Sequence, residues 1–242
     1  MREFEEENNQ TTEATSTESS TPNKKTTNQD ESYFCVINTA EKAYWLGYVF
    51  ANGELKEYDQ FQKLLITTGN DGKQQLQKLP KILFSEAVAT YGEFQLWHLE
   101  TRDEIVINAL LRHGMEEGTN KNLQLPPTLS FRFLKPFIIG YFDGKGTLTT
   151  SPDKVSIAGP LSFLKELKET IEDEIKISFK VQLLADGGTL LNITKSRDIL
   201  LFLHWMYAEE PFGLPENREI HLNLLQAFEA LEQEQQKRRK KR

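Results

Sequence analysis

Apolar and polar residues follow one another along this chain in an order that occurs twice. Each copy is predicted to contain an apolar helix, strands of alternating polarity, a second helix, further strands and a closing helix. In the first copy these elements are predicted over 43–51, 64–68, 76–84 and 94–99, with the closing helix capped by Thr101. In the second they are predicted over 133–142, 155–158, 161–171 (with Pro160 as the first helical residue), 178–184 and 189–193, with Ser196 as the last cap. The pattern predicts two αββαββα units.

Matching segments support a tandem duplication, because three residue pairs recur at nearly one spacing. The separations are 93 residues from Gly47 to Gly140, 90 from Gly69 to Gly159 and 95 from Arg102 to Arg197. We therefore predict a first repeat over 40–125 and a second over 126–232, which begins at paired prolines. The polar, acidic segment 1–31 is predicted to be disordered, and 233–242 to be a basic tail.

Small residues recur at matched positions of the two opening helices. Gly47 and Ala51 are four residues apart in one helix, and Gly140 and Gly144 are four apart in the other. Residues at this spacing share a helix face. Since small side chains let helix backbones approach closely, we predict that these four residues form a helix–helix interface between the repeats.

Composition and charge restrict where the chain can act. No apolar run reaches the roughly 18 residues needed to cross a bilayer, and the single cysteine, Cys35, cannot form an internal disulfide. These features predict an intracellular protein with no membrane partner. The net charge is −7, but 32–236 carries −8 and 237–242 carries +6. An acidic body is a poor match to duplex DNA, whose binding depends on Lys and Arg.

Two segments, one in each repeat, resemble the motif of a known protein family. The segments WLGYVFANG (45–53) and IIGYFDGKG (138–146) resemble the LAGLIDADG motif of homing endonucleases. LLRHGMEEGTNKNLQLPPTL before the second motif, and LLFLHWMY followed by a Leu-Pro-x-Asn-Arg segment, are similar to further conserved stretches of the two-repeat, single-chain type. The resemblance covers about residues 40–230. It implies an α+β fold of tandem αββαββα repeats, with curved antiparallel sheets and paired central motif helices.

The resemblance also implies a site where this sequence departs from the family. Family members carry a catalytic acid just before the last glycine of each motif, where it binds Mg²⁺ for cleavage of DNA. Asn52 and Lys145 stand at these positions. Asp143 and Glu54 are the nearest substitutes, although each lies two residues away and points elsewhere on a helix. We therefore predict a degenerate active site with no metal and no cofactor, and Mg²⁺ only if cleavage survives.

The strands that face DNA in the family contain lysines, mixed with acidic residues. The candidate nucleic-acid-binding residues are Lys56, Lys63, Lys121, Lys145, Lys154, Lys180 and Lys195. The neighbouring acids are Glu54, Glu57, Asp59, Glu93, Glu100, Asp153 and Asp186. The mixture favours binding only if bases and acids occupy different faces.

Three functional hypotheses remain open. The first is a monomer with an internal pseudo-twofold that binds DNA or structured RNA without cutting it, for intron splicing, regulation or an organellar ribonucleoprotein. The second is an interaction subunit of a ribonucleoprotein, whose acidic body docks on other proteins. The third is an active Mg²⁺-dependent homing endonuclease.

Overall fold

A computed structural model describes residues 33–58, 61–83, 90–91, 96–118, 122–149 and 153–240. The predicted disordered segment 1–31 and the candidate Lys121 lie outside the described residues, as do Asp59, Glu93 and the last two residues of the basic tail. None of the helices within the described ranges has the length and hydropathy that a bilayer span requires.

The described residues of the first half of the chain form three α-helices and one sheet. Its elements are α1 (Ala40–Asn52), β1 (Gly53–Tyr58), β2 (Phe61–Thr68), α2 (Lys73–Leu83), β3 (Thr90–Tyr91), β4 (Trp97–Thr101) and α3 (Glu104–Arg112). The sheet is antiparallel with the order β1-β2-β4-β3.

The second half repeats this arrangement after a 3-10 turn at Phe131–Phe133. Its elements are α4 (Leu134–Lys145), β5 (Gly146–Thr147), β6 (Val155–Ala158), α5 (Leu161–Ile175), β7 (Lys180–Leu183), β8 (Thr189–Ile193), α6 (Ser196–Tyr207) and α7 (Pro215–Lys240). The order β5-β6-β8-β7 matches that of the first sheet. The predicted fold of two αββαββα units is confirmed, and α7 is a long helix added after the second unit.

The two repeats meet along α1 and α4, and small residues on both helices allow their backbones to approach closely. A Cβ atom at Gly47 would collide with the carbonyl oxygen of Phe137, and one at Gly140 would collide with that of Tyr44. Gly144 likewise lies against the side chains of Ala51 and Asn52. Both helices are buried almost throughout, because one face meets the other helix and the opposite face meets its own sheet.

Alternation along the strands places one face of each sheet on the core. In the first sheet Leu55, Leu64, Ile66 and Leu99 are buried against the helices. In the second sheet Val155, Ile157, Leu191 and Ile193 are buried in the same way. The opposite face of each sheet, which we call the outer strand face, is left for side chains such as Glu54 and Lys56.

The predicted starts of α3, α5 and α6 were wrong by one or two residues. Asp103, not Thr101, caps α3, because its carboxylate accepts hydrogen bonds from the backbone N–H groups of Ile105 (2.9 Å) and Val106 (3.2 Å). Ser196 is already inside α6, and Pro160 precedes α5 instead of opening it. A carboxylate is the stronger cap, since it can satisfy two orphan N–H groups and interacts favourably with the helix dipole.

Candidate nucleic-acid interface

A groove of about 1090 Å³ opens between the two sheets, where α1 and α4 end and their strands begin. We call it the central groove. Asn52 and Glu54 line it from the first repeat, and Lys145 lines it from the second. Most of its remaining lining is glycine or apolar, including Leu65 and Leu190. The paired helix ends therefore bring Asn52 and Lys145, which lie 93 residues apart in sequence, into one cavity.

The two residues at the motif positions are held differently. The Asn52 amide is half-buried, and its Nδ2 donates a hydrogen bond of 3.2 Å to the carbonyl oxygen of Tyr48 one turn earlier. Its close packing against Gly144 fixes it at the helix interface. Lys145 is exposed to the groove, and the surrounding protein lowers its pKa by desolvation. Lys145 thus supplies a cation, whereas Asn52 is tied to its own helix.

Glu54 is the carboxylate of the central groove, and it already has a cationic partner. Its Oε2 lies 3.2 Å from Nζ of Lys56, two residues along the same strand face. Both side chains are about one-third exposed, so the pair contributes little to stability. It does, however, neutralise the carboxylate and one of the candidate lysines.

Asp143, the other substitute ligand, does not line the groove. Its carboxylate accepts hydrogen bonds from the Tyr44 hydroxyl (2.9 Å), the Tyr207 hydroxyl (3.3 Å), the Leu214 N–H (2.8 Å) and Asn217 Nδ2 (2.9 Å). Burial raises the pKa of Asp143 to about 6, although these donors lower it in part. Asp143 therefore connects α4 to α1, α6 and the start of α7. Its helical position, two residues before Lys145, turns it away from the groove.

The side chains that line the central groove do not fit a divalent metal ion. No group of three or more His, Cys, Asp or Glu side chains with metal-binding geometry occurs within the described ranges. Magnesium prefers carboxylate and other oxygen ligands. Among the described residues that line the groove, Glu54 is the one carboxylate, and it is already paired with Lys56, while Lys145 adds an ammonium to the same lining. The side chains of the groove are thus better matched to an anion than to a dication.

The candidate lysines divide into paired and unpaired ones. Lys56 pairs with Glu54, and Lys63 pairs with Glu100 at 3.0 Å on the neighbouring strand. In the second repeat Lys195 is largely exposed and lies 3.8 Å from Asp198. Lys154 and Lys180 are exposed and form no ion pair with any residue in the described ranges. Among the candidate lysines, those without an ion pair to a described residue are therefore Lys145, Lys154 and Lys180, all in the second repeat.

Two further features of the site were missed by reasoning from the sequence. The partners of Asp143 lie 64 to 99 residues away along the chain, so local pattern could not reveal them. An exposed pair of stacked rings, Tyr58 and Phe61, closes the β1–β2 hairpin on the outer strand face. The only signal for this pair is two aromatic residues flanking a short polar turn, which is equally typical of an ordinary hairpin.

Comparison with known proteins shows the fold. No protein-family model and no curated protein matches the sequence. Solved structures match at low sequence identity. I-DmoI in complex with DNA and Ca has a TM-score of 0.55 and 15% identity, over 74% of this chain and 95% of that one. The I-LtrWI LAGLIDADG homing endonuclease bound to target DNA has a TM-score of 0.54 and 12% identity, over 83% and 91%.

This chain has the homing-endonuclease fold. The same fold extends to a protein of another name, full-length WhiA from Thermatoga maritima, with a TM-score of 0.54 and 16% identity over 82% of this chain. This chain spans only 64% of WhiA. At identities this low, the structural matches show a shared fold and nothing about activity, which depends on the residues of the site.

Proposed function

We propose that this protein binds nucleic acid on its outer strand face and does not cut it. The observation that carries the proposal is the central groove, where Asn52 and Lys145 stand at the positions that the motif resemblance assigns to catalytic carboxylates. Two carboxylates would carry a charge of −2, whereas Asn52 and Lys145 together carry +1. The groove is therefore suited to an anion such as a phosphate group.

The size of this charge change favours loss of cleavage. Two unit charges about 4 Å apart interact by roughly 4 kcal/mol at an effective dielectric constant near 20. Replacing an attraction of this order with the repulsion from Lys145 disfavours a dication in the groove. The same ammonium attracts a phosphate, which supports retention of binding after catalysis is lost.

The distribution of charge supports binding through the second repeat. Lys145, Lys154 and Lys180 are exposed there, whereas Lys56 and Lys63 are neutralised by acids of the first repeat. Phosphate contacts by Lys and Arg supply most of the affinity of non-specific nucleic-acid binding. I-LtrWI has been solved on its target DNA, so duplex DNA is one ligand of this proposal and structured RNA is the other. Roles in intron splicing, regulation or a ribonucleoprotein would follow from RNA binding.

Paired assays test this proposal. The full chain is incubated with supercoiled plasmid and with linear duplex in Mg²⁺ or Mn²⁺, and its affinity for duplex DNA and for structured RNA is measured across a salt series. We expect no nicking, together with binding that weakens as salt rises. Metal-dependent cleavage by the natural sequence would establish the endonuclease hypothesis instead. The double substitution Asn52→Asp/Lys145→Asp is the matched control, and it should bind Mn²⁺ more tightly by calorimetry.

A second candidate function is an interaction subunit that docks on other proteins. The acidic charge of −8 over 32–236 and the ion pairs that neutralise Lys56 and Lys63 favour it. The exposed apolar residues Phe228 and Leu231, far along α7, also favour it. In this case neither duplex DNA nor structured RNA binds the full chain at low salt, or binding disappears when the basic residues 237–242 are replaced.

A further inference from the structure

The tip of the β1–β2 hairpin presents two aromatic rings to solvent. Tyr58 and Phe61 form a cross-strand pair, with ring centroids 4.9 Å apart and an interplanar angle of 21°. Tyr58 remains 43% exposed and Phe61 remains 38% exposed. Because both large rings stay partly exposed, the part of their apolar surface that the other ring leaves uncovered is available to a ligand.

Two cations accompany these rings. The Arg102 guanidinium lies 4.1 Å from the ring centroid of Phe61, and Lys63 Nζ lies 5.4 Å from that of Tyr58. Lys63 is also hydrogen-bonded to Glu100, but Arg102 is exposed and forms no ion pair with any described residue. We call the four residues Tyr58, Phe61, Lys63 and Arg102 the hairpin platform. It joins flat apolar surface to a guanidinium that has no acidic partner among the described residues.

The platform faces the same way as the central groove. Glu54, Lys56 and Tyr58 alternate with the buried Leu55, so all three side chains lie on the outer strand face. At about 3.3 Å per strand residue, the four-residue step from Glu54 to Tyr58 spans roughly 13 Å. A nucleic acid lying across the groove therefore reaches the platform within a few nucleotides.

We propose that the hairpin platform binds an unpaired nucleobase of the nucleic acid held on the outer strand face, with Arg102 contacting its phosphate or stacking on the base. This inference rests on the proposed function. Stacking on aromatic side chains and on guanidinium planes is the usual way in which proteins hold unstacked bases. Bases inside a duplex already stack on their neighbours and have no free face. The platform thus selects a loop, bulge or single-stranded segment over an uninterrupted duplex.

Matched probes test the selection. A blunt RNA duplex and the same duplex with a short internal loop are titrated with the full chain. DNA versions of both probes show whether the unpaired base is bound in RNA, in DNA or in both. A fluorescent adenine analogue in the loop reports stacking directly. We expect tighter binding of the looped probes and quenching of the analogue.

The decisive variant is Tyr58→Leu/Phe61→Leu, which keeps apolar surface but removes both rings. Removing a base–aromatic stack reduces affinity by roughly five- to 150-fold, so we expect a loss in this range for looped probes and unchanged affinity for blunt ones. Phe131→Leu, at a ring 74% exposed elsewhere, is the matched control and should change neither. Unfolding by urea verifies that the double variant is folded.

The possible failures are distinguishable. If the natural sequence binds no probe at low salt, the proposed function fails and this inference fails with it. If it binds blunt and looped probes equally, or if Tyr58→Leu/Phe61→Leu weakens both by the same factor, nucleic-acid binding stands and the platform inference is overturned. Loss of looped-probe binding in the Phe131→Leu control also overturns it.

Discussion

The Tyr44 hydroxyl donates a hydrogen bond of 2.9 Å to Asp143 Oδ2, which joins the two central helices near the groove that they support. The same carboxylate accepts hydrogen bonds from Tyr207 in α6, from Leu214 just before α7, and from Asn217 in the first turn of α7. The Phe212 ring stacks on Tyr44, with ring centroids 5.6 Å apart, and covers this cluster. Asp143 therefore links the last two helices to the central helices, and it does not line the groove.

Substituting Asp143→Asn should destabilise the fold. Asparagine replaces one acceptor oxygen with an NH₂ donor, which then faces either the Leu214 N–H or the Asn217 Nδ2, so a buried hydrogen bond that the carboxylate accepts is lost. A buried polar group left without a partner costs about 1–3 kcal/mol. The free energy of unfolding in urea measures this loss, with Glu169→Gln on the exposed side of α5 as the control. Equal stabilities of the Asp143→Asn and Glu169→Gln proteins would contradict the role given to Asp143.

Asp143 should also give the stability a distinctive dependence on pH. Its pKa is raised from 3.8 to about 6 in the folded protein, chiefly by burial. The folded state therefore holds a proton that the unfolded state releases at lower pH, and the contribution of Asp143 is largest below about pH 4. That contribution declines as pH rises towards about 6, by at most about 1.4 kcal/mol per pH unit. Comparing the natural protein with Asp143→Asn isolates this slope, and parallel curves for the two would refute it.

Glycine at the helix crossing is required by contact with backbone. A Cβ atom at Gly140 would overlap the carbonyl oxygen of Tyr44, which cannot rotate away as a side chain could. Gly140→Ala should therefore force α1 and α4 apart and cost on the order of 1–3 kcal/mol or more. Gly69→Ala is the matched control, since its Cβ would meet no atom within 4 Å. Thermal or urea unfolding compares them, and a Gly140→Ala protein as stable as Gly69→Ala would show that the helices are not closely packed.

The architecture can be predicted from the sequence because its signals are periodic and duplicated. Apolar residues three and four apart predict α1 and α4, and alternation predicts β2, β6 and β8. Helix starts are predicted less well, since Thr101 and Asp103 are both good caps and only the geometry selects Asp103. The roles of side chains in the site cannot be predicted in this way. Lys56 and Lys63 are cations in the sequence, yet same-strand and cross-strand acids neutralise them in the fold.

Lysines that are paired with acids in the fold should contribute less to nucleic-acid binding than exposed lysines without such a partner. Lys154 and Lys180 are exposed and have no ion-pair partner in the part of the chain that the structure describes. The variant Lys154→Ala/Lys180→Ala should therefore weaken nucleic-acid binding at low salt, and should lower the salt-dependence slope by about 0.9 for each duplex phosphate that is no longer neutralised. Lys56→Ala/Lys63→Ala removes the same formal charge from residues already paired with Glu54 and Glu100, so it should reduce binding less. Because the two variants change net charge equally, a difference between them reflects position on the fold. Equal loss of affinity in both would show that general charge, and not the second repeat, determines binding.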